Sequence, residues 1–577
     1  MLIINRHRNL LRKYRMPFIY ISSFLLSVLV VFPCYSSPSA ERDPSTTDAA
    51  RQQLETGIVE EVTVLTESGR LSSMLQAIEI LRSRNLSGTD FGRMVTGINV
   101  KLIGLVYPDA PGRLPAVDLP QAHNYTRIIR EAERGNYVRP SADSDDFFEY
   151  ILPFLAVNDQ TRPETYNDIL RDLTKAAELR PNSVFPPYFQ GLIHERAGRN
   201  AQAETAFRRA YAISNECYPA LAGSARIMRQ SGNLAGAAAI FQDLVLRYPD
   251  SMDLKRELAI TYYQARNWAR ALAVVDELLH TAPRDGELLL MKAHILIEQG
   301  QFSQANGPLD IYASINSNNR NYLFYRARVQ AEGSRNRDSA LNYLRSILRN
   351  NPNDAEVLTY AANLLMASQR PADLQEGREY LERLRRLSGT SIDVLSLSLH
   401  DAVRRESWQE AQGYLNRILA VRRTPQDLTD AYYVERGLGN NARALTIARE
   451  LYDRDPNNND YILIYISALI DNNRRDEASR LLEARINSLG GGSVKSRYYF
   501  LRSRIQPNEE AVLGDLRSSI FEDPRNLDAL IAMFEIYHRR REERRAVYYL
   551  RQALAIAPDN PRLQRYARDY ASLLNTR

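Results

Sequence analysis

Cysteine is nearly absent: two residues, Cys34 and Cys217, stand in a chain of 577. With Cys34 at the end of a targeting segment, no intramolecular disulfide is expected, so the fold must rest on packing alone. Lysine is also scarce, with six residues, so 75 − 6 = 69 of the basic residues are arginine. Catalytic signatures are missing. There is no GxxxxGK phosphate loop, GxSxG elbow, HExxH helix or CxxC pair. The seven histidines are dispersed, none three or four residues from another, so no metal centre is expected. Gly490-Gly491-Gly492 falls between helical segments, without the preceding strand that a phosphate cradle needs, and reads as a turn. Neither an enzymatic activity nor a cofactor is expected. What remains is ordinary globular composition, 44% hydrophobic and 25% charged, which excludes a collagen or a polytopic membrane protein.

The net charge of +6 is misleading as a guide to partners. Residues 1–34 carry Arg6, Arg8, Arg12, Lys13 and Arg15 with no acid, which leaves 6 − 5 = +1 for the rest of the chain. A nucleic-acid binder carries its excess on the folded surface, so nucleic acid is not expected as a partner. The basic stretch is followed by a nearly all-apolar run, Met16–Cys34, and then by small and polar Tyr35–Ala40. That order describes an export signal, and the run also reaches the lower limit for one membrane span. Residues 1–40 are therefore expected to be a signal peptide or a membrane anchor. The remainder would lie outside the cytoplasm, in the periplasm or cell envelope. Cys34 stands where a bacterial lipoprotein carries its lipidated cysteine, although Phe32-Pro33 precede it in place of small residues. Lipidation, cleavage and an uncleaved span stay open as alternatives.

Beyond about residue 150 the chain repeats with a step of 34. Small residues recur at Gly191, Ala225, Ala259, Ala293 and Ala327, and again at Ala203, Ala237, Ala271 and Ala305. Bulky apolar residues follow the second set at Phe207, Phe241, Val275 and Leu309, and Pro181, Pro249 and Pro283 close units in phase. Turn glycines Gly198, Gly232 and Gly300 keep the same phase. Two helices with short turns fill one such unit, and neither can bury its apolar stripe alone. Gly suits the turn that ends the first helix, A, and Pro stops the second, B. Asn182, Asp250, Asn353, Asn457 and Asp559, each just after a Pro, suit the turn and the following cap. Near Ala340 the phase slips by one inserted residue and then recovers.

This pattern resembles the tetratricopeptide repeat family, whose signature combines a small residue in helix A, A-x3-F in helix B and a terminal Pro. Ala203-x3-Phe207 and Ala237-x3-Phe241 match it literally, while Leu221, Leu289, Leu323 and Leu358 replace the family's Trp. The resemblance implies an all-α, right-handed superhelical solenoid. Twelve units are assigned, starting near 150, 184, 218, 252, 286, 320, 355, 392, 425, 459, 493 and 527, over residues 150–560. The first, eighth, ninth and eleventh are degenerate, and residues 561–577 form a capping helix.

Residues 41–149 are expected to be a helical N-terminal region of uncertain fold. Arg51–Glu67 and Leu71–Arg84 read as helices, Asn99–Tyr107 as a strand or buried helix, and Pro108–Pro120 as a loop. In the resembling family, helix A lines a concave groove. The helix-A phase places Tyr188, Arg226, Arg229, Arg256, Tyr263, His294, Phe324, Arg328 and Asn363 toward it. Arg and Tyr are favoured at binding hot spots, and as groove residues these arginines would be mostly solvated. The leading expectation is a non-enzymatic envelope scaffold that binds protein segments in this groove and reaches the membrane through its N-terminal segment. A role in outer-membrane assembly or secretion is implied by family analogy only. The alternatives are a carbohydrate- or cell-wall-binding factor and, more weakly, an enzyme hidden in residues 41–149.

Overall fold

The computed structural model describes residues 44–109, 114–141, 143–558 and 560–574. The expected targeting segment, residues 1–40 with Cys34, lies outside these residues. Every regular element among the described residues is helical. None of these helices is long and apolar enough to cross a membrane. The chain forms two compact units, one up to Asn233 and one from Leu234 onward.

The first unit opens with helices Pro44–Glu67, Leu71–Ser83 and Asp90–Val106, so the ambiguous stretch Asn99–Tyr107 resolves as buried helix. These helices dock on the start of the repeats. The Tyr107 hydroxyl donates to the Gly69 carbonyl (2.8 Å), and the Val184 amide donates to the Ser68 carbonyl (3.0 Å). Arg180 grips Glu67 through Nε and Nη2 (2.5 and 3.0 Å). The expected unit near residue 150 is reduced. A five-residue helix, Phe147–Ile151, gives way to two 3-10 turns at Leu152–Ala156 and Pro163–Thr165, and only Tyr166–Leu179 is a full helix. Pro153 and Pro163 start those turns, where a missing amide is tolerated.

The first regular pair, Phe185–Arg196 and Asn200–Ile213, shows why the small residues repeat. Phe207 of helix B is fully buried, with Gly191 of its own helix A on one side and Gly223 of the next on the other. A Cβ on Gly191 would lie 2.5 Å from the Phe207 ring, and one on Gly223 2.7 Å from it. Only the absence of a side chain lets the backbones approach so closely. The free thiol of Cys217 is buried beside this core, and burial pushes its pKa up to about 12.

In the second unit, helix pairs open at Met252, Gly286, Arg320, Ala355, Ile392, Pro425, Asn459, Ser493 and Leu527, each packed on the next in sequence order. The pairs opening at Ile392, Pro425 and Ser493 have degenerate sequences, yet their helices are complete. In the first of them Ala411 and Leu415 still fill the helix-B positions of Ala203 and Phe207 and are buried, and a Cβ on Gly437, at the end of the following helix, would lie 2.3 Å from the Trp408 ring. Ala237, Ala271 and Ala305 have no exposed surface, and neither do Phe241, Val275 and Leu309. The caps are made one residue later than the sequence implied. Asn353 and Asn457 sit in the turns, while Asp354 and Asn458 accept amide hydrogens of the helices they precede.

Helix A ends in a left-handed residue at regular intervals. Gly198, Gly232, Arg266 and Gly300 step by 34, and the next is Arg335, one residue late. The inserted residue is taken up inside helix A as a π turn, Val329–Gly333, closed by Ser334 N donating to Val329 O (3.1 Å). The last segment breaks at Tyr570 into Pro561–Asp569 and Ala571–Leu574, where one capping helix was expected. The Tyr570 hydroxyl lies 2.5 Å from His538 Nδ1, an anchor that holds the break against the last pair.

Two stability outcomes follow from this packing. Gly191→Ala should overpack Phe207 and lower stability by about 1–3 kcal/mol, seen as a lower urea midpoint; an unchanged midpoint would show that the ring can move aside. Arg266→Gly should relieve a left-handed non-glycine residue and raise stability by about 0.5–1 kcal/mol, checked by the same titration.

Candidate functional site

In these pairs, helix A residues four, eight and eleven positions after the start share one face, as i, i+4 and i+7 positions do. Arg226, Arg229, Arg256, Tyr263, His294, Arg328 and Asn363 occupy that face, and the structure shows what most of them hold. In the first unit, Arg226 grips Glu195 of the preceding helix A through Nε and Nη2 (2.8 and 2.9 Å). Arg229 is half-buried in the last turn of the same helix. Tyr188 is buried, its ring 6.0 Å from that of Phe207, and presents no open surface.

In the second unit, Arg256 reaches Asp285, the residue that caps the next helix A (2.6 Å). Arg328 joins Glu298 of the preceding helix A (2.5 Å) and Glu332 of its own π turn (2.9 Å). Its side chain is only 19% exposed, so the expectation of mostly solvated arginines is corrected. These guanidinium groups tie one helix A to its neighbour. Tyr263, His294 and Tyr325 stack across three successive repeats. The Tyr263 hydroxyl lies 2.6 Å from His294 Nδ1, and the His294 ring stacks on Tyr325 at 5.1 Å. Burial lowers the His294 pKa, so this aromatic cluster carries a neutral imidazole at neutral pH. Phe324 is buried beneath the Arg320 guanidinium, 5.0 Å from its ring centre. Arg320 in turn holds Asp354 through two hydrogen bonds of 2.9 Å and keeps its carboxyl below the usual range. Asn363 is exposed and donates to the carbonyl of Thr359 (3.1 Å).

The same three positions open into a cavity in the pairs starting at Pro425, Asn459 and Ser493. They supply Tyr433, Arg436, Leu463, Ser467, Arg497, Leu501 and Arg504, which with Tyr432, Phe500, Asn526 and Asp528 line about 370 Å³. That is the size range of a ligand pocket. Arg436 and Arg504, from the repeats on either side, both contact Asp471 (2.8 and 2.7 Å). Tyr432 is 1% exposed, and its hydroxyl is buried with Ser467 beside it. Burial raises the Tyr432 pKa against the pull of Arg436, so the phenol keeps its proton. None of these residues was singled out from sequence. The signal was present all the same, because the helix-A phase that selected Tyr188 to Asn363 selects them when carried through the last repeats.

The fold defines a class: an α-helical repeat scaffold, built from helix pairs that stack on their neighbours. The repeat is tetratricopeptide in type. A tetratricopeptide repeat family model matches residues 196–259, the stretch holding both literal A-x3-F motifs. Helix pairs of the same form recur beyond that stretch. Among solved structures, it is similar to a tetratricopeptide repeat protein from Parabacteroides merdae (14% identity, TM-score 0.38, covering 44% of this chain and 98% of that one). It is also similar to pilF of Pseudomonas aeruginosa (16%, 0.33, 42% and 100%) and to yeast Tom70 (14%, 0.34, 78% and 96%). At these scores the overlays add nothing to the helix-pair geometry. No curated protein matches the sequence.

If the Arg328–Glu298 pair ties repeats together, Arg328→Ala and Glu298→Ala should each destabilise the protein. A double-mutant cycle should return a coupling of about 1 kcal/mol. Additive losses would show that the pair contributes nothing as a pair.

Proposed function

We propose that this protein is a non-enzymatic scaffold of the cell envelope, exported by its N-terminal segment and held at a membrane, which binds protein segments along the face formed by its A helices. The observation that carries the binding part is the cavity beneath Tyr432, Tyr433 and Phe500. On the earlier A helices the same positions are largely engaged in ion pairs and aromatic stacking, and in the pairs opening at Pro425, Asn459 and Ser493 they surround open space. Aromatic walls, arginine and a buried hydroxyl in one recess are the features of a binding hot spot. The export part rests on the order of basic, apolar and small residues over residues 1–40.

Two measurements test the two parts. A reporter active only outside the cytoplasm, fused after Ala40, should be active, and Cys34→Ser should shift the protein out of the membrane fraction if lipid holds it there. Cytoplasmic reporter activity would refute export. For binding, tagged protein should recover partner proteins from envelope extract, and Tyr433→Ala, which removes a half-exposed ring, should reduce that recovery. Recovery of glycan strands in place of proteins would overturn the protein-segment reading.

A further inference from the structure

The residue that opens helix B fills the gap beside the end of the next helix A. Phe302 does so against Gly333, where a Cβ would lie 2.6 Å from the Phe302 Cβ, and Trp408 does so against Gly437. Leu234 and Trp268 open their B helices with the same apolar character. In the pair opening at Arg320 that position is held by Arg337, which is polar. Here the gap is a recess of about 590 Å³, lined by Ser334, Arg335, Asn336, Arg337, Asp338 and Arg370. It follows directly on the π turn Val329–Gly333, and π turns are rare and recur at functional sites.

Three of the four charged groups in the lining are positive. Arg370, from the next turn between helices A and B, meets Asp338 (2.5 Å) and Asp373 (2.8 Å), and Arg337 meets Asp373 (3.2 Å). Asp373 is buried and stands outside the lining, so with it counted the charges are three positive and two negative. Both carboxylates are taken up by Arg337 and Arg370. Arg335 is exposed in the turn (φ 52°), and its side chain has no ionic or hydrogen-bonded partner among the described residues. The Nε of Arg337 is buried without an acceptor.

We infer that this recess binds a phosphate group, held by Arg335, Arg337 and Arg370. A carboxylate offers two oxygens in one plane, the part that Asp338 and Asp373 already play. A phosphate group carries oxygens on several sides and suits guanidinium groups that arrive from two successive turns. The phosphate has two sources, the phosphodiester headgroup of a lipid or a free phosphate, and both present the same oxygens. The site is built from the turns between helices A and B, so it stands independently of protein binding on the A-helix face.

Isothermal titration calorimetry of the full-length protein in detergent, at fixed ionic strength, tests this with three probes. They are inorganic phosphate, glycerophosphoglycerol as a deacylated phosphodiester headgroup, and acetate. One or both phosphate probes should bind and acetate should not; the tighter of the two names the source. Arg335→Gly should weaken that binding about tenfold, as loss of a hydrogen bond to a charged group does. Its thermal midpoint should be unchanged or raised, because glycine adopts the left-handed turn without strain. Asp338→Asn should strengthen binding by removing the carboxylate from the lining. Acetate binding as tight as that of phosphate overturns the phosphate assignment. Phosphate binding that Arg335→Gly leaves unchanged, or no binding of either phosphate probe, overturns the site, and all of these results leave the A-helix face untouched.

Discussion

Close approach of helix backbones is the constraint on which this structure depends. Phe207 lies between two glycines, and each would collide with the ring if it carried a Cβ. The contact is local, between a helix pair and its successor, and this locality holds along the repeats. Stability in such a protein is close to a sum over neighbours. The ends therefore need separate treatment: Asp90–Val106 and its companions close one, and the short helices beyond Pro561 close the other.

Arginine supplies the second tie. The residues that bridge one helix A to the next reach a partner about one repeat away and hold it in a fixed geometry. Arg226 on Glu195 and Arg320 on Asp354 do this with paired hydrogen bonds, which a point-like ammonium group cannot reproduce. The A-helix face is thereby largely self-satisfied. Ligand binding on it has to compete with the protein's own carboxylates, or occur where the pattern leaves space.

Much of the fold was legible because the period of 34 is carried by residues that cannot be exchanged freely, such as Ala237 and Phe241. Where those identities fade, as around Ala411 and Ala444, the sequence looks degenerate while the helices persist, since Ala411 and Leu415, and Ala444 and Ala448, still fill the two buried helix-B positions. The phase of helix A correctly chose a face. What it could not supply was the partner of each residue, because Glu195 and Glu298 are acidic residues like any others until the repeats are stacked. Phe324 shows the same limit: it stands at a face position, yet Arg320 and Tyr360 close over it. The N-terminal region was least legible, having no period against which to read a buried Asn99 or Tyr107.

The π turn at Val329–Gly333 has a consequence for how this protein tolerates changes in length. An extra residue in an ordinary helix rotates everything after it by about 100°, which would swing the apolar stripe of that helix away from its neighbour. Here the surplus is confined to one widened turn, and helix B at Arg337–Asn350 begins with its Ala340 and Leu344 still fully buried. The turn acts as a slack loop in a rope, absorbing length so that the register on either side is undisturbed. A single-residue deletion within it would return this repeat to the common spacing without moving a buried contact downstream.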